Sequence, residues 1–492
     1  MRPLTYRITT LGCRVNHAET RDLEAILATR GLTASGDAPA HLEVVHSCSV
    51  TGAAAAKSRQ AVRRAARRLP DAAAHDAPLP RVMVTGCYAG TDRVEAERLA
   101  GGSSFVVPHD DDDGSHMIER FADAVDTWLG HATVDRDPPA TPDASAPADA
   151  PAIASLPVVP ATPQGSRHTR AELRIQDGCD AHCTFCIIPT IRPRLRSKTI
   201  TDAVAEARRL VDLGHREIVL TGIFIGAYGH ETALRRRQRK PGAEPLADLL
   251  DAVAQVPGLE RLRISSMEPG DVTGALLDAM VANASVVVPH LHLPLQSGSD
   301  AILRRMNRQY GVRDYLEMIT RVEETLTRPA TGDGPPLPPA ITTDIICGFP
   351  GETDADFDAT MAVADSVGFL HMHVFPFSPR AGTAAARWTT QFVPARTVRS
   401  RVRRLIDLEE DPRDGLALRY RRRLVDRVVR VVVERAASGE AGWSTGRCDH
   451  YALVHLPGVI PRGRIVATRI TSVDATRTIG RPEPAPIPLP VL

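Results

Sequence analysis

Short apolar runs alternate with amphipathic helical stretches along the first 130 residues. Strands are predicted at residues 7–11, 42–46 and 81–85, and helices at about residues 19–30, at residues 53–69 and after residue 87. This alternation is typical of a parallel sheet covered by helices. The residues that follow parallel strands gather at one edge of the sheet, where open α/β folds place their sites.

The alternation resumes at Arg170 and continues for six strand and helix units. The predicted strands are at residues 173–176, 217–221, 261–265, 290–293, 341–347 and 371–377. Six such units predict a partial (βα)6 barrel of the TIM type, with its site at the carboxyl ends of the strands. A helix at about residues 395–410 follows, and then Val, Ile and Thr-rich strands at residues 428–434, 451–455 and 464–470 predict a small β-barrel.

Two stretches depart from this alternation of predicted strands and helices. Between His131 and His168, 17 of 38 residues are Ala or Pro, which predicts a solvated linker. Residues 328–339 are rich in Pro and Gly and predict a surface loop. We therefore expect an N-terminal domain at 1–130, a linker at 131–168, a barrel at 169–392, a connecting helix at 393–418 and a β-barrel at 419–482.

The net charge of the whole chain is close to zero, but one segment is strongly basic. Lys and Arg number 60 against 59 Asp and Glu, so a uniformly basic nucleic-acid coat is excluded. Residues 419–481 nevertheless hold 13 Arg against five acidic residues, which favours RNA binding there, with a basic face that binds nothing as the alternative. No run approaches the roughly 18 apolar residues of a membrane span, and the N-terminus has no signal region, so we expect a cytoplasmic protein without a membrane partner.

The eight cysteines are too few for a disulfide scaffold in a chain of 492 residues. Cys179, Cys183 and Cys186 form a CxxxCxxC cluster just after the first barrel strand. Three thiolates on one loop suit an iron–sulfur cluster with one iron left open for chemistry, whereas structural zinc seldom has only three ligands. Cys347 lies in an apolar strand and reads as a buried small side chain, and Cys448 stays unassigned.

Cys13, Cys48 and Cys87 each follow a predicted strand of the N-terminal sheet, so these three thiols are expected to meet at its carboxyl edge. The acidic run at residues 110–113 is interpreted as a solvated loop, because consecutive side chains cannot all face one ion. His290 and His292 share one strand face and are interpreted as structural histidines.

The CxxxCxxC spacing, the aromatic Phe185 before the last cysteine and the barrel that follows resemble the radical S-adenosylmethionine enzymes. The resemblance implies that the open iron binds S-adenosylmethionine and that reduction yields a 5′-deoxyadenosyl radical. It assigns Cys179, Cys183 and Cys186 as cluster ligands. It also places Phe185, Gln296, Ser297 and the turn of Gly348, Gly351 and Glu352 at the S-adenosylmethionine site.

The N-terminal cysteines narrow the resemblance to the methylthiotransferases. Residues 10–16 (TLGCRVN), 46–51 (HSCSVT) and 85–88 (TGCY) resemble the three signatures of that family, as do barrel runs such as 292–299 (HLPLQSGS) and 348–353 (GFPGET). The family implies a second [4Fe-4S] cluster on Cys13, Cys48 and Cys87 and a C-terminal TRAM domain. It also implies two S-adenosylmethionine molecules per turnover and an electron donor such as flavodoxin or ferredoxin.

Residues 12–16 (GCRVN) and 226–229 (GAYG) are similar to the branch that acts on C2 of N6-threonylcarbamoyladenosine in the anticodon loop of tRNA. The alternatives are the branches that act on isopentenyladenosine or on a ribosomal protein, which usually differ after the first cysteine. A non-catalytic iron–sulfur RNA-binding protein is the alternative from another class, and it fits poorly with an open iron. Release of 5′-deoxyadenosine would separate the two classes.

Overall fold

The computed structural model describes residues 4–69, 81–102, 104–109, 115–130, 154–157, 169–234, 242–328, 335–438 and 442–483. Among these residues, no helix is both long and apolar enough to cross a membrane. The acidic run at residues 110–113 and most of the predicted linker lie outside the described residues. The fold is mixed α/β, with two parallel sheet systems and a closed β-barrel.

The first sheet is parallel, in the order β2-β1-β3-β4-β5. Its central strand is buried along its whole length, as expected where helices cover both faces. The three predicted strands and both bounded helices are confirmed, whereas two further strands, at residues 33–34 and 105–107, and the helix at residues 117–129 were not predicted. The elements are β1 (Thr5–Thr10), α1 (Arg14–Thr29), β2 (Thr33–Ala34), β3 (Leu42–Ser47), α2 (Gly52–Arg68), β4 (Arg81–Gly86), α3 (Cys87–Thr91), α4 (Arg93–Ala100), β5 (Phe105–Val107) and α5 (Met117–Leu129).

The central domain is the predicted partial barrel. All six predicted strands are present as β7, β9, β10, β11, β12 and β13. Isolated parallel bridges, such as that between Ser266 and His292, connect the sheet that ends at β10 to the sheet that begins at β11. The elements are β6 (Ala154–Ser155), β7 (Ala171–Asp177), α6 (Ile188–Ile191), β8 (Arg196–Ser197), α7 (Ile200–Asp212), β9 (Glu217–Gly222), α8 (Pro245–Ala254), β10 (Arg261–Ile264), α9 (Gly274–Ala282), β11 (His290–His292), α10 (Asp300–Arg305), α11 (Val312–Leu326), β12 (Ala340–Cys347), α12 (Asp354–Val367) and β13 (His371–Pro376).

The helices cover the outside of this barrel because their apolar residues recur every three or four positions. In α11, for example, Tyr315, Met318, Ile319 and Val322 are buried against the strands. Cys347 belongs to the same core and is 1% exposed, which confirms its interpretation as a buried small side chain. The strands are therefore held from outside, and the inner face of the barrel is left for polar groups.

The C-terminal strands close into a barrel of five, in the order β14-β15-β16-β18-β17. Cys448 lies in its core. The elements are α13 (Ala395–Glu410), α14 (Leu416–Arg422), β14 (Val428–Arg435), β15 (Trp443–Cys448), β16 (Leu453–Pro457), β17 (Ile465–Val473) and β18 (Thr478–Pro482). The predicted helix at 395–410 is confirmed, and β15 and β18 are additions that close the barrel.

Two expectations about loops need correction. Within the predicted linker, Ala154–Ser155 pairs with β8 as a strand, and the following Leu156 is buried. The predicted surface loop at 328–339 is anchored at both ends, because Arg328 pairs with Leu337 and Leu337 packs into the C-terminal core. Neither apolar contact was visible in a composition dominated by Ala, Pro and Gly.

Candidate active site

The three N-terminal cysteines lie together at the carboxyl edge of the first sheet. Cys13 is the residue before α1, Cys48 directly follows β3, and Cys87 begins α3. The pKa of the Cys87 thiol is raised to about 12, chiefly by burial, with the neighbouring Cys13 and Cys48 thiols contributing to the rise. The expected convergence of these thiols is therefore present in the fold.

Close packing of the backbone fixes the positions of the cysteine loops at the carboxyl edge of the first sheet. Gly86 has a φ of 89°, and a Cβ there would lie 2.4 Å from the Ser47 carbonyl oxygen, so only glycine fits before Cys87. The Asn16 side chain donates to the carbonyls of Leu11 at 2.8 Å and Ser47 at 3.0 Å. These bonds hold the first two cysteine loops against each other.

The second triad occupies a single loop after β7. Burial raises the pKa of Cys179 and of Cys186, the latter to about 12, and the neighbouring Cys183 thiol adds to both shifts. The Cys186 N–H donates to the Cys183 carbonyl at 3.0 Å. The loop turns at Gly178, where a Cβ would lie 1.9 Å from the Arg194 carbonyl oxygen. Three clustered thiols are a donor set suited to a metal cluster, because binding to iron would deprotonate them.

A buried ion pair beside this loop was not identified from the sequence. Arg308 Nη1 lies 3.2 Å from Cys183 Sγ, and Arg308 Nη2 lies 2.6 Å from Glu268 Oε1. A guanidinium at this position stabilises a thiolate. Glu268 belongs to a barrel run that ends a strand, but Arg308 carries no local signal in a chain where almost every cation is Arg.

The loop triad is tied to the predicted glycine turn through aromatic packing. The Phe185 ring meets the Phe349 ring edge-on, with 6.4 Å between centroids. Glu352 accepts hydrogen bonds from the Gly348 N–H at 2.8 Å and from Arg401 Nη1 at 2.6 Å. Glu352 thus closes the turn on α13, and the turn presents Phe349 to the cluster loop.

Gln296 and Ser297, the remaining residues predicted to bind the cofactor, make hydrogen bonds that involve backbone groups. Gln296 has a φ of 62°, and its N–H donates to the Asp344 carbonyl at 2.8 Å. The Ser297 hydroxyl is buried and accepts from the Ser299 N–H at 3.2 Å. Gln296 is half-buried, so of these two side chains it has the more open surroundings.

The two triads share an apolar wall. Cys87 packs with Ile187 and Ile191, and Ile187 is the residue directly after Cys186. Ile188 also contacts the group that contains Cys179. The carboxyl edge of the first sheet therefore closes over the mouth of the barrel, with the two sets of thiols on either side of one short segment.

Buried charges lock this arrangement. Glu19 on α1 accepts from Arg174 at 3.0 Å and from Arg192 at 2.8 Å, and Arg192 also bonds to Asp177 at 2.7 Å. Burial alone would raise the pKa of Glu19, but Arg192 leads the groups that hold it well below its usual range. Arg192 also favours the ionised thiols of Cys87 and Cys48. The barrel thus supplies a cation to the N-terminal triad.

The two histidines of β11 have different surroundings in the barrel interior. His290 is buried and His292 half-buried, and His292 Nε2 lies 3.3 Å from Asp344 Oδ1. His373 joins this group from β13. The His290 Nδ1 atom has no hydrogen-bond partner in the described part of the chain. His292 Nδ1 lies 2.9 Å from Thr342 Oγ1, so both of its ring nitrogens have partners, and His290 Nε2 lies 3.1 Å from the same oxygen. The interpretation as a satisfied structural histidine is therefore confirmed for His292, and His290 departs from it only at Nδ1.

A (βα)6 barrel with a CxxxCxxC loop at its mouth defines a radical S-adenosylmethionine enzyme. Residues 173–364 match the model of the radical SAM superfamily, and residues 5–107 match that of the uncharacterized protein family UPF0004. The chain belongs to the radical SAM methylthiotransferase family. Membership implies S-adenosylmethionine and a [4Fe-4S] cluster as cofactors.

Curated relatives match along nearly the whole chain. The threonylcarbamoyladenosine tRNA methylthiotransferase MtaB of Bacillus subtilis is 33% identical over 94% of this chain and 92% of its own. The tRNA-2-methylthio-N(6)-dimethylallyladenosine synthase of Acidothermus cellulolyticus is 34% identical over 96% of this chain and 86% of its own. Among solved structures, the radical S-adenosylmethionine methyltransferase TsrM of Kitasatospora setae has a TM-score of 0.51 at 13% identity, covering 78% of this chain and 74% of its own, which is a likeness of fold.

Proposed function

We propose that this protein inserts a methylthio group at C2 of N6-threonylcarbamoyladenosine, next to the anticodon of tRNA. The observation that carries the proposal is the packing of Cys87 against Ile187, one residue after Cys186. A sulfur-donating site and a radical site must both reach one base carbon, and this contact keeps the two triads adjacent. The MtaB relatives support the choice of nucleoside.

Two [4Fe-4S] clusters fit the two thiol triads, one held by Cys13, Cys48 and Cys87 and the other by Cys179, Cys183 and Cys186. When bound, the cofactors supply radical chemistry, which is needed because no side-chain base can remove an unactivated aromatic hydrogen. We assign one S-adenosylmethionine to methyl donation and a second to the radical step, with flavodoxin or ferredoxin as the electron donor.

The chain's own residues position and protect these groups. Arg308 neutralises charge at Cys183, and Arg192 does so at the N-terminal triad. The apolar wall of Ile187, Ile188 and Ile191 excludes water between the two sites. Phe185 and the turn of Gly348, Gly351 and Glu352 hold the cluster loop, and Gln296 and Ser297 line the next strand end, which supports their assignment to the S-adenosylmethionine site.

RNA binding is assigned to residues 419–482. Several of the arginines there already pair with carboxylates of the protein at its surface; Arg419, for example, pairs with Asp365 and Arg469 with Glu483. Arg435 and Arg464 are exposed and have no carboxylate within 4 Å among the described residues. Trp443 is also exposed, and an aromatic face beside cations suits single-stranded bases. A base in the anticodon loop is already unpaired and costs little to turn out.

The test is anaerobic turnover on defined RNA. Reduced, reconstituted protein is incubated with S-adenosylmethionine and anticodon hairpins that carry either threonylcarbamoyladenosine or isopentenyladenosine. We expect release of 5′-deoxyadenosine and a methylthio product from the first hairpin, detected by nucleoside mass spectrometry. Absence of 5′-deoxyadenosine would indicate a binding module, and product from the isopentenyl hairpin alone would move the protein to the other branch.

A further inference from the structure

Four arginines from three parts of the chain surround one tyrosine. The Tyr451 ring lies 4.6 Å from the Arg447 guanidinium carbon, 5.0 Å from that of Arg263 and 5.9 Å from that of Arg170. Arg14 Nη2 donates to the Tyr451 hydroxyl at 3.1 Å. The N-terminal sheet, the barrel and the C-terminal β-barrel therefore meet at this residue.

The positive charge here exceeds the negative charge. Arg263 pairs with Glu217 at 3.1 Å, and Glu217 also pairs with Arg261. Arg170 pairs with Glu434 at 2.6 Å, and Arg447 lies 4.0 Å from the same carboxylate. Arg14 has no carboxylate within 4 Å in the part of the chain that the structure describes. Five guanidinium groups thus share two paired carboxylates.

Two buried nitrogen atoms at this place have no hydrogen-bond partner among the described residues. Arg263 is fully buried, and its Nη1 has no hydrogen-bond partner among the described residues; the same holds for Nδ1 of the buried His290. His290 stacks on the Tyr451 ring, with 4.3 Å between centroids. A buried guanidinium nitrogen left without an acceptor is costly, so it indicates a missing acceptor.

The tyrosine is held in an uncommon conformation. Tyr451 has a φ of 67°, and its N–H donates to the Cys448 carbonyl at 2.9 Å. Burial raises its pKa, but the guanidinium groups of Arg14 and Arg447 lead the charges that outweigh burial, so its pKa lies below the ordinary value. The same cations lower the pKa of His290, together with burial. Both effects reflect a positive potential at this point.

We propose that Arg14, Arg170, Arg263 and Arg447 form a subsite for an anionic oxygen group of the substrate nucleotide, either a carboxylate or a phosphate. The proposal rests on the proposed function and deepens it. Arg14 directly follows Cys13, so the anion binds next to the N-terminal triad. The threonylcarbamoyl group carries a carboxylate and an isopentenyl group carries no charge, which makes Arg14 a specificity-determining residue if the anion is the carboxylate.

The experiment measures the binding of RNA hairpins by the full-length reconstituted protein. The hairpins carry threonylcarbamoyladenosine, its threonine methyl ester or unmodified adenosine at the target position. Fluorescence anisotropy gives the dissociation constants for the wild type, Arg14→Gln and Arg447→Gln. Arg313→Gln is the matched control, because Arg313 is exposed on α11 and pairs only locally with Glu317 at 3.3 Å.

If the anion is the carboxylate, Arg14→Gln weakens binding of the threonylcarbamoyl hairpin about 10- to 100-fold and leaves the ester hairpin unchanged. If it is a phosphate, all three hairpins lose affinity by one factor, and the salt dependence becomes shallower. Tyr451→Phe distinguishes a merely structural role of Arg14 from anion binding. In this variant Arg14 loses only its contact with the tyrosine hydroxyl and keeps its charge. The subsite is disproved if both arginine variants bind every hairpin as the Arg313→Gln control does.

This outcome is separable from failure of the proposed function. The wild type is assayed in parallel for methylthiolation of the threonylcarbamoyl hairpin. A wild type that modifies the hairpin while Arg14→Gln and Arg447→Gln both bind every hairpin as the Arg313→Gln control does overturns the subsite alone. A wild type that binds but never modifies it overturns the assigned reaction alone, whatever the arginine variants do.

Discussion

The two cysteine triads are assembled in different ways. Cys179, Cys183 and Cys186 lie within eight consecutive residues on one loop, whereas Cys13, Cys48 and Cys87 come from the ends of three separate strands. The first set is local, and the second exists only when the sheet has formed. The N-terminal set also takes a cation, Arg192, from the barrel.

The difference shows where each site is vulnerable. The loop triad depends on its own turn and on the buried Arg308 and Glu268 pair. The N-terminal triad depends on register between strands and on the buried charges around Glu19. Substitutions that disturb strand register or the charges around Glu19, but leave the loop of Cys179, Cys183 and Cys186 intact, are therefore expected to affect mainly the N-terminal triad.

The largest effect is expected from the cysteines themselves. Cys183→Ala should lose about half of the bound iron and all cleavage of S-adenosylmethionine, because it removes one of three ligands from the loop cluster. Cys48→Ala should lose the other half and still release 5′-deoxyadenosine. Iron analysis and product chromatography measure both, with Cys347→Ala as a control in the core. If either variant emptied both sites while remaining folded, the two-site assignment would be wrong.

The next largest effect is expected at the interface between the domains. Glu19→Gln removes one of the two carboxylates that Arg174 and Arg192 share, the other being Asp177. Breaking such a buried pair costs about 3–5 kcal/mol. The free energy of unfolding from urea titration measures this cost. Glu97→Gln, in the exposed pair with Arg93, should change it by less than about 1 kcal/mol. Equal effects of the two substitutions would contradict the structural role of Glu19.

A smaller effect is expected from pH. Burial lowers the pKa of His109 well below 6.5, so the folded protein keeps it neutral while the unfolded chain binds a proton. Stability should therefore fall as pH drops below about 6.5, by up to about 1.4 kcal/mol per pH unit from this group. The pKa values of Glu19 and Asp177 are lowered, so their contribution is lost only below about pH 4.5.

Urea titrations between pH 7.5 and 5 compare the wild type with His109→Gln. The variant should lose stability less steeply with acid, because it lacks this protonation in the unfolded chain. Parallel curves for the two proteins would show that His109 is equally protonated in both states. Iron retained at each pH shows whether the N-terminal triad is lost before the loop triad.

The smallest effect is expected at the RNA surface. Arg435→Gln together with Arg464→Gln should reduce the slope of log K against log salt by about 0.9 or less per residue, while iron content and 5′-deoxyadenosine release stay unchanged. Arg469→Gln is the control, since that side chain already pairs with Glu483. Filter binding at several salt concentrations measures the slope. An unchanged slope in the double variant would place RNA recognition outside this surface.

These surface variants are better tests than removal of residues 419–481 or neutralisation of Arg421. Arg261 at the start of β10 donates to the Cys448 carbonyl at 3.0 Å, so truncation would expose buried charge in the barrel. Arg421 is half-buried and donates to the Ala475 carbonyl at 2.8 Å. Both changes would alter packing as well as RNA contacts.

The barrel strands were predictable because each is a short apolar run between helical patterns. The start of α1 was not, because its first turn is polar and resembles a loop; the helix begins at Arg14 rather than near Glu19. A single sequence places a glutamate on a solvent face, yet Glu19 is buried by Arg174 and Arg192, which lie 155 and 173 positions later. Such long-range pairing has no local signature.

The cysteines of both triads were identified from spacing and resemblance, but their polar partners were not. Arg308 and Arg192 are single arginines in an arginine-rich chain, and only the fold brings them to sulfur. The role of Tyr451 was likewise not predictable from the sequence. Its positive φ has no sequence signature, and its four arginine neighbours come from three separate parts of the chain. The chemistry of the site was thus predictable, and its electrostatic environment was not.

The Glu19 contacts have a consequence for synthesis of the chain. A ribosome releases the first sheet, residues 5–107, well before it makes Arg174 and Arg192. Until then Glu19 must remain hydrated, because an unpaired carboxylate cannot be buried cheaply. The N-terminal domain therefore completes its folding only after the start of the barrel has been translated. Iron delivered earlier would meet Cys13, Cys48 and Cys87 at three strand ends that the barrel does not yet cover.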